Sequence, residues 1–193
     1  MSSIEAEFCT IEEERSWQQV FATIRVLSFQ HQFTTKEAKR AQNRNLNRYR
    51  DVSPYDHSRV VLHRSDVDYI NASVVPVKNA GREYILTQGP LATTLPHFWL
   101  MVWEKNTKVS HQVSFFVPKW HKASGEDDQH SSQGLAEGIV MLNKLVEKNA
   151  IKCHQYWPDG EEREMDFESV DLRVSFVAES AKENYICRLV LFD

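Results

Sequence analysis

A chain of 193 residues with 41% hydrophobic content and both charge signs interspersed has the make-up of one globular domain with a core of its own, which excludes disorder throughout. A formal charge of -4 supplies no basic excess to displace counterions, so nucleic acid is excluded as a bulk electrostatic partner. There is no basic-then-apolar leader and no run of bilayer-spanning length, and Cys9, Cys153 and Cys187 form neither a CxxC pair nor an even-numbered framework, so the sequence reads as a cytoplasmic protein of a reducing compartment.

Thr10, with Glu13 three residues later, has capping-box spacing, and Trp17, Val20, Phe21, Ile24 and Leu27 then recur at helical intervals, which predicts an amphipathic helix. A shorter helix is predicted from Thr34 or Thr35, with Glu37 nearby, running into a polar loop around Asn43 to Asn47. Val60 to Leu62, Tyr69 to Val75 and Glu83 to Thr87 have the β-branched and aromatic content of strands, the third ended by Gly89-Pro90. Thr94 can cap a helix that holds Pro96 in its first turn, where a missing N–H costs little, and turns Phe98, Trp99, Val102 and Trp103 to a core. Gly138 to Leu142, Leu172 to Ala178 and Tyr185 to Phe192 read as further strands. The fold class is α/β (α+β), a twisted mixed sheet flanked by helices.

Asn47-Arg48-Tyr49-Arg50-Asp51-Val52-Ser53-Pro54-Tyr55-Asp56, followed by Asp68-Tyr69-Ile70-Asn71-Ala72-Ser73, resembles the substrate-recognition loop of the protein tyrosine phosphatases. Tyr84 to Pro90, His97 to Glu104 and Val140-Met141-Leu142-Asn143 follow in that family's order. The likeness is nearest to the T-cell-type subfamily of the non-receptor group, type 2 with type 1 its near relative, and it makes the chain residues 1–193 of a partial phosphatase domain. Phosphotyrosine is a flat ring bearing nearly two negative charges, so its capture needs an aromatic wall and anion-binding groups. The resemblance implies that Tyr49 stacks on the substrate ring, Val52 packs against it, Asp51 anchors the substrate backbone and Arg50 favours acidic flanks. It also implies that Arg48 and Asn71 brace the loop and that Lys152 lies beside the general-acid loop.

The segment from about 109 to 136 departs from the family pattern. Val113-Ser114-Phe115-Phe116-Val117 is apolar, Ser124 to Gln133 is polar, and no consistent period joins them, so a loop is expected. Two origins stay open: a retained intron, since Val109-Ser110 and Val113-Ser114 can both be encoded by a donor-like run beginning GT, or a surface insertion.

The family's chemistry uses a cysteine thiolate held in a glycine-rich loop closed by an arginine, with no cofactor and no metal. Cys9 to Arg15 is the only Cys-x5-Arg, but its interior Thr-Ile-Glu-Glu-Glu has no glycine and three carboxylates, so it does not qualify. Trp157-Pro158-Asp159-Gly160 resembles the general-acid loop in the wrong place, because Lys152-Cys153-His154-Gln155-Tyr156-Trp157-Pro158 matches a different Trp-Pro segment, and it reads as a turn. Cys153 and Cys187 read as buried or half-buried thiols, and the histidines lack metal-ligand spacing. No catalytic residue is therefore assigned. The expectation is a phosphatase domain incomplete at its C-terminus and inactive alone, whose partners are phosphotyrosine proteins for the parent enzyme and chaperones or protein partners for this chain. A non-catalytic adaptor or dominant-negative isoform is the other reading.

Overall fold

The computed structural model describes residues 3–106, 112–118, 138–183 and 185–192. The N-terminal region is a pair of helices, α1 (Ile4–Glu13) and α2 (Trp17–Gln30). Ser3, not Thr10, caps the first: its Oγ accepts the Ala6 amide at 3.2 Å, whereas Thr10 lies inside α1 and donates its hydroxyl to the Ala6 carbonyl. Glu12, Glu13 and Glu14 crowd the negative end of the helix dipole without a basic residue to oppose them, and the chain leaves the helix through Arg15 at φ 51°. The apolar stripe predicted on α2 is present but uncovered. Phe21 is 62% exposed, Ile24 54% and Leu27 52%, and no residue of α2 is buried.

The next helix, α3 (Lys36–Lys39), starts after Thr35 as expected, yet Thr35 makes no side-chain cap. The capping group comes from a distant loop. Asp56 accepts the Lys36 amide at 2.8 Å, the Glu37 amide at 3.0 Å and the Thr34 hydroxyl at 2.6 Å, while its own amide donates to the Thr34 carbonyl. A 3₁₀ turn, Arg44–Leu46, leads into the 47–56 segment.

Strands β1 (Arg59–Val61), β2 (Tyr69–Val77) and β3 (Arg82–Thr87) form an antiparallel sheet in that order, and α4 (Leu95–Asn106) follows. Thr94 accepts the Leu91 amide ahead of α4. Beyond it come β4 (Gln112–Pro118), β5 (Gly138–Val140), the short hairpin β6 (Val146–Glu147) and β7 (Ala150–Ile151), then β8 (Glu164–Phe167), β9 (Leu172–Ala181) and β10 (Tyr185–Phe192). The second large sheet has the order β5-β4-β10-β9-β8, antiparallel except where β4 meets β5. The mixed α/β class is the one the sequence predicts.

One segment differs from its prediction. Residues 112–118, expected to be loop, form β4, paired with β10 from Gln112↔Leu191 to Pro118↔Tyr185 and with β5 on the other side. The rest of the predicted insertion, 119–136, lies outside the described residues, as do 109–111.

A single core joins the two large sheets through α4. Phe98 to Val102 are all buried, against Val60, Ile70 and Ala72 of the first sheet and Leu172, Val174, Val190 and Phe192 of the second. Trp99 is fully buried; its indole N–H donates to the Tyr156 carbonyl at 2.6 Å and its ring lies 5.2 Å from that of Phe192. Burial of so large an aromatic, with its one polar atom satisfied, fixes where α4 sits.

Candidate recognition site

The 47–52 loop has no regular structure of its own, so its shape depends on side chains that tie it to the sheet. Asn47 is the hub. Its Oδ1 accepts the Tyr69 hydroxyl at 2.6 Å and the Asn71 amide at 2.8 Å, and its Nδ2 donates to the Asn43 and Ala38 carbonyls. Asn71 donates also to the Val52 carbonyl at 2.9 Å, so β2 holds both ends of the loop. Burial pushes the Tyr69 phenol up to about 12, against the pull of its bond to Asn47, which keeps it a proton donor to that oxygen.

Arg48 turns away from solvent and closes on the Gln88-Gly89-Pro90 corner. Its backbone amide donates to Gln88 Oε1 at 2.8 Å, its Nε to the Gly89 carbonyl at 2.9 Å, its Nη2 to the Pro90 carbonyl at 2.7 Å and its Nη1 to the Ile151 carbonyl at 3.2 Å. Gln88 in turn donates to the Leu46 carbonyl at 2.8 Å. All these acceptors are neutral, and the three guanidinium nitrogens of Arg48 each bind a different backbone carbonyl, a planar fork that lysine cannot reproduce. Gly89 permits the approach: a Cβ there would stand 2.7 Å from the Lys152 carbonyl and 3.0 Å from Cys153 Cβ.

Within this frame Tyr49 is 42% exposed, with Arg50, Asp51 and Val52 exposed beside it. Lys152 reaches the same place from the segment after β7: its ammonium is 3.5 Å from the Tyr49 hydroxyl and 5.7 Å from the ring centroid. Of the residues picked from the sequence, Tyr49 and Lys152 are thus brought together, Arg48 and Asn71 bind the loop's backbone and neighbours, and Arg50, Asp51 and Val52 present outward without fixing anything. Asn47, Gln88 and Gly89 carry as much of the frame as the residues singled out. Gly89 had left a signal as a strand-ending glycine, and Asn47 and Gln88 lay within the quoted motifs without a role of their own.

An open aromatic face beside a cation, on a loop fixed from behind, suits a flat anionic aromatic ligand. The model of the protein-tyrosine phosphatase family matches residues 43–117 and 132–193, more than half of the chain and all of this loop. The chain belongs to that family. It is 42% identical over 192 residues to the human tyrosine-protein phosphatase non-receptor type 2, which covers 100% of this chain and 39% of that protein, and equally so to the mouse protein. It is 44% identical over 159 residues to the tyrosine-protein phosphatase non-receptor type 61F of Drosophila melanogaster, 81% of this chain and 24% of that one. The chain therefore spans well under half the length of these relatives. The family match leaves residues 118–131 unaligned, and all of β4 but Pro118 lies within the matched residues.

Neither look-alike of the phosphatase chemistry has the geometry for it. Cys9 lies inside α1, where the amides that would have to converge on a phosphate are spent on helix bonds, Glu14 to the Thr10 carbonyl and Arg15 to that of Glu12. Asp159 closes a turn: its Oδ1 accepts the Glu161 and Glu162 amides and its Oδ2 accepts from Gln155. Its carboxyl lies below the usual range, held there by a backbone bond with Glu162, by Gln155 and by Glu161, the opposite of what a general acid needs. Cys153 is buried between Gly89 and Arg48, and burial raises its thiol to about 11 even though the Arg48 charge lowers it, so it stays protonated. Among the described residues no group of three His, Cys, Asp or Glu could hold a metal, and no helix is long and apolar enough to cross a membrane.

Proposed function

We propose that these 193 residues form the phosphotyrosine-recognition side of a tyrosine phosphatase domain and do not by themselves hydrolyse the ester. In this reading Tyr49 is the wall against which the substrate ring stacks and sets the depth of the cleft, Val52 packs on the same ring, and Asp51 and Arg50 meet the peptide on either side. Lys152 adds positive charge beside Tyr49, and Arg48 and Asn71 position the loop without touching substrate. The observation that carries it is the pairing of an exposed Tyr49 ring with the Lys152 ammonium on a loop clamped by Arg48, Asn71 and Gln88. Hydrolysis through a cysteinyl phosphate is proposed for the whole phosphatase, whose cysteine loop has no counterpart in this sequence. The likeness to non-receptor phosphatases supports placing it in the cytoplasm.

The test is turnover of a phosphotyrosine peptide by the purified chain beside a full-length relative, together with peptide binding by wild type and Tyr49→Ala. The reading expects no turnover and weak binding that Tyr49→Ala removes. Turnover lost on substitution of Cys9 would overturn the inactive part of it, and binding indifferent to Tyr49 the recognition part.

The uncovered apolar face of α2 favours a second reading, a non-catalytic chain that binds partners of the parent enzyme. Soluble, monodisperse protein with a cooperative melt supports it; protein that only aggregates or stays chaperone-bound does not.

A further inference from the structure

We propose that Tyr84 is a phosphorylation site for a tyrosine kinase, with Arg82 as the residue that receives the phosphate. Of the six tyrosines, Tyr69 and Tyr156 are buried, Tyr185 is half-buried, and Tyr49 already faces Lys152. Tyr55 is held in ring contact with Phe33 and His57. Tyr84 is 45% exposed, and no hydrogen bond or ring contact holds its side chain among the described residues.

Its backbone setting matters as much as its exposure. The strand β3 has β2 on one side and, among the described residues, no strand on the other, so Tyr84 is the middle of an already extended segment with a free edge. Another enzyme's strand can pair with such a segment without unfolding it. The register fixes the direction of the side chain: Tyr84 opposes Val75 and Arg82 opposes Val77 on one face, while Ile85 on the other face packs on the core. Arg82 is exposed, two residues away on Tyr84's face at about 7 Å, within reach of a phenyl phosphate by a guanidinium fork.

In the reaction the Tyr84 phenolic oxygen forms a bond to the γ-phosphorus of ATP, the bond from that phosphorus to the bridging β–γ oxygen breaks, and ADP leaves with the electron pair. The phenolic proton passes to the kinase's base. The product carries about -1.5 to -2 charge near neutral pH, which Arg82 offsets and Glu83, whose side chain points to the opposite face, does not repel directly.

The experiment is incubation of the folded 193-residue chain with a broad-specificity tyrosine kinase and ATP, with sites mapped by peptide mass spectrometry. The expected result is early phosphate on Tyr84 and loss of most incorporation in Tyr84→Phe, with Tyr55→Phe unchanged. Early phosphate spread over Tyr69 and Tyr156 as well, or undiminished in Tyr84→Phe, overturns the proposal. The Arg82 part is read by phosphorus NMR titration: the second ionisation of the phosphate falls below its ordinary value of about 6 and returns toward it in Arg82→Gln. No difference between the two overturns that part. Neither readout depends on whether the 47–52 loop binds phosphotyrosine.

Discussion

Asn71 donates to Asn47 across 2.8 Å, and together with the Tyr69 hydroxyl on the same oxygen this contact ties to β2 a loop that starts at Asn47 and ends at Val52, whose carbonyl Asn71 also binds. Replacing Asn71 with alanine leaves Asn47 Oδ1 with one of its two donors, the Tyr69 hydroxyl, and takes from the Val52 carbonyl the Asn71 amide that donates to it. We expect about 1–3 kcal/mol of lost stability in urea unfolding. Faster amide exchange should be confined to the residues around 47–53 at low denaturant. Arg50→Ala, on the exposed side of the same loop, should stay within about 0.5 kcal/mol of wild type.

The strands of the first sheet were legible in the sequence because Tyr69 to Val75 and Glu83 to Thr87 combine β-branched and aromatic residues with clear turn punctuation. The tryptophan helix was legible because Pro96 and the Phe98-to-Trp103 spacing agree with one another. The N-terminal helix start was misplaced because the Thr10–Glu13 spacing occurs inside a helix already capped by Ser3, and local spacing cannot say which of two hydroxyl residues ends up at the boundary. Residues 112–118 were misread because pairing with β10, more than sixty residues away, is a tertiary fact with no local periodic trace. In the site, Tyr49 and its neighbours stood out through a motif. Asn47 and Gln88 stood inside the quoted motifs but were given no role, because that role is to satisfy backbone groups across separations such as Gln88 to Leu46, which no short pattern encodes.

Asp56 gives a pH dependence of definite sign. Burial pushes its carboxyl up, but bonds from the Thr34 hydroxyl and the Glu37 and Lys36 amides, with the Arg59 charge, together bring it below its ordinary value of 3.8. A carboxyl lower in the folded than in the unfolded chain contributes stability above the unfolded value, and that contribution is lost as pH falls through the folded one. Stability attributable to Asp56 should therefore be constant near neutrality and decline only below about pH 4. The check is denaturant unfolding of wild type and Asp56→Asn at several pH values: the gap between them should narrow on acidification, and a gap that widens contradicts the assignment.

Trp99→Ala should be among the most damaging single changes. It removes a fully buried indole, leaves the Tyr156 carbonyl without its 2.6 Å donor, and takes away the contact with Phe192 that links α4 to the second sheet. The expected cost is about 3–5 kcal/mol, enough to abolish a cooperative thermal transition in a marginal domain. Trp99→Phe keeps part of the packing and loses the donor, so it should fall between the two when both are measured by the same melt. Phe21→Ala on the uncovered α2 face, equally aromatic in sequence, should change the melt far less because little of that ring is buried to begin with.

Gly89 offers the sharpest link between backbone geometry and the 47–52 loop. A methyl group there would meet the Lys152 carbonyl at 2.7 Å, a backbone atom that cannot swing aside, and then Cys153 Cβ at 3.0 Å. Relief requires the Gln88–Pro90 corner to move off the 152–153 segment, yet Arg48 bonds to both sides of that junction, through the Gly89 and Pro90 carbonyls and the Ile151 carbonyl. The strain of Gly89→Ala is thus shared with Arg48, at an expected cost of about 1–3 kcal/mol. Because Arg48 is the shared partner, its truncation should relax the fit as well as weaken it. In a double-mutant cycle, Gly89→Ala should cost less in an Arg48→Ala background than in wild type, giving a coupling of about 0.5–3 kcal/mol. Strict additivity in that cycle would show that the corner yields locally and that Arg48 does not hold it. The same displacement would carry Lys152 away from Tyr49, so the alanine variant should also weaken phosphotyrosine-peptide binding more than its loss of stability alone explains.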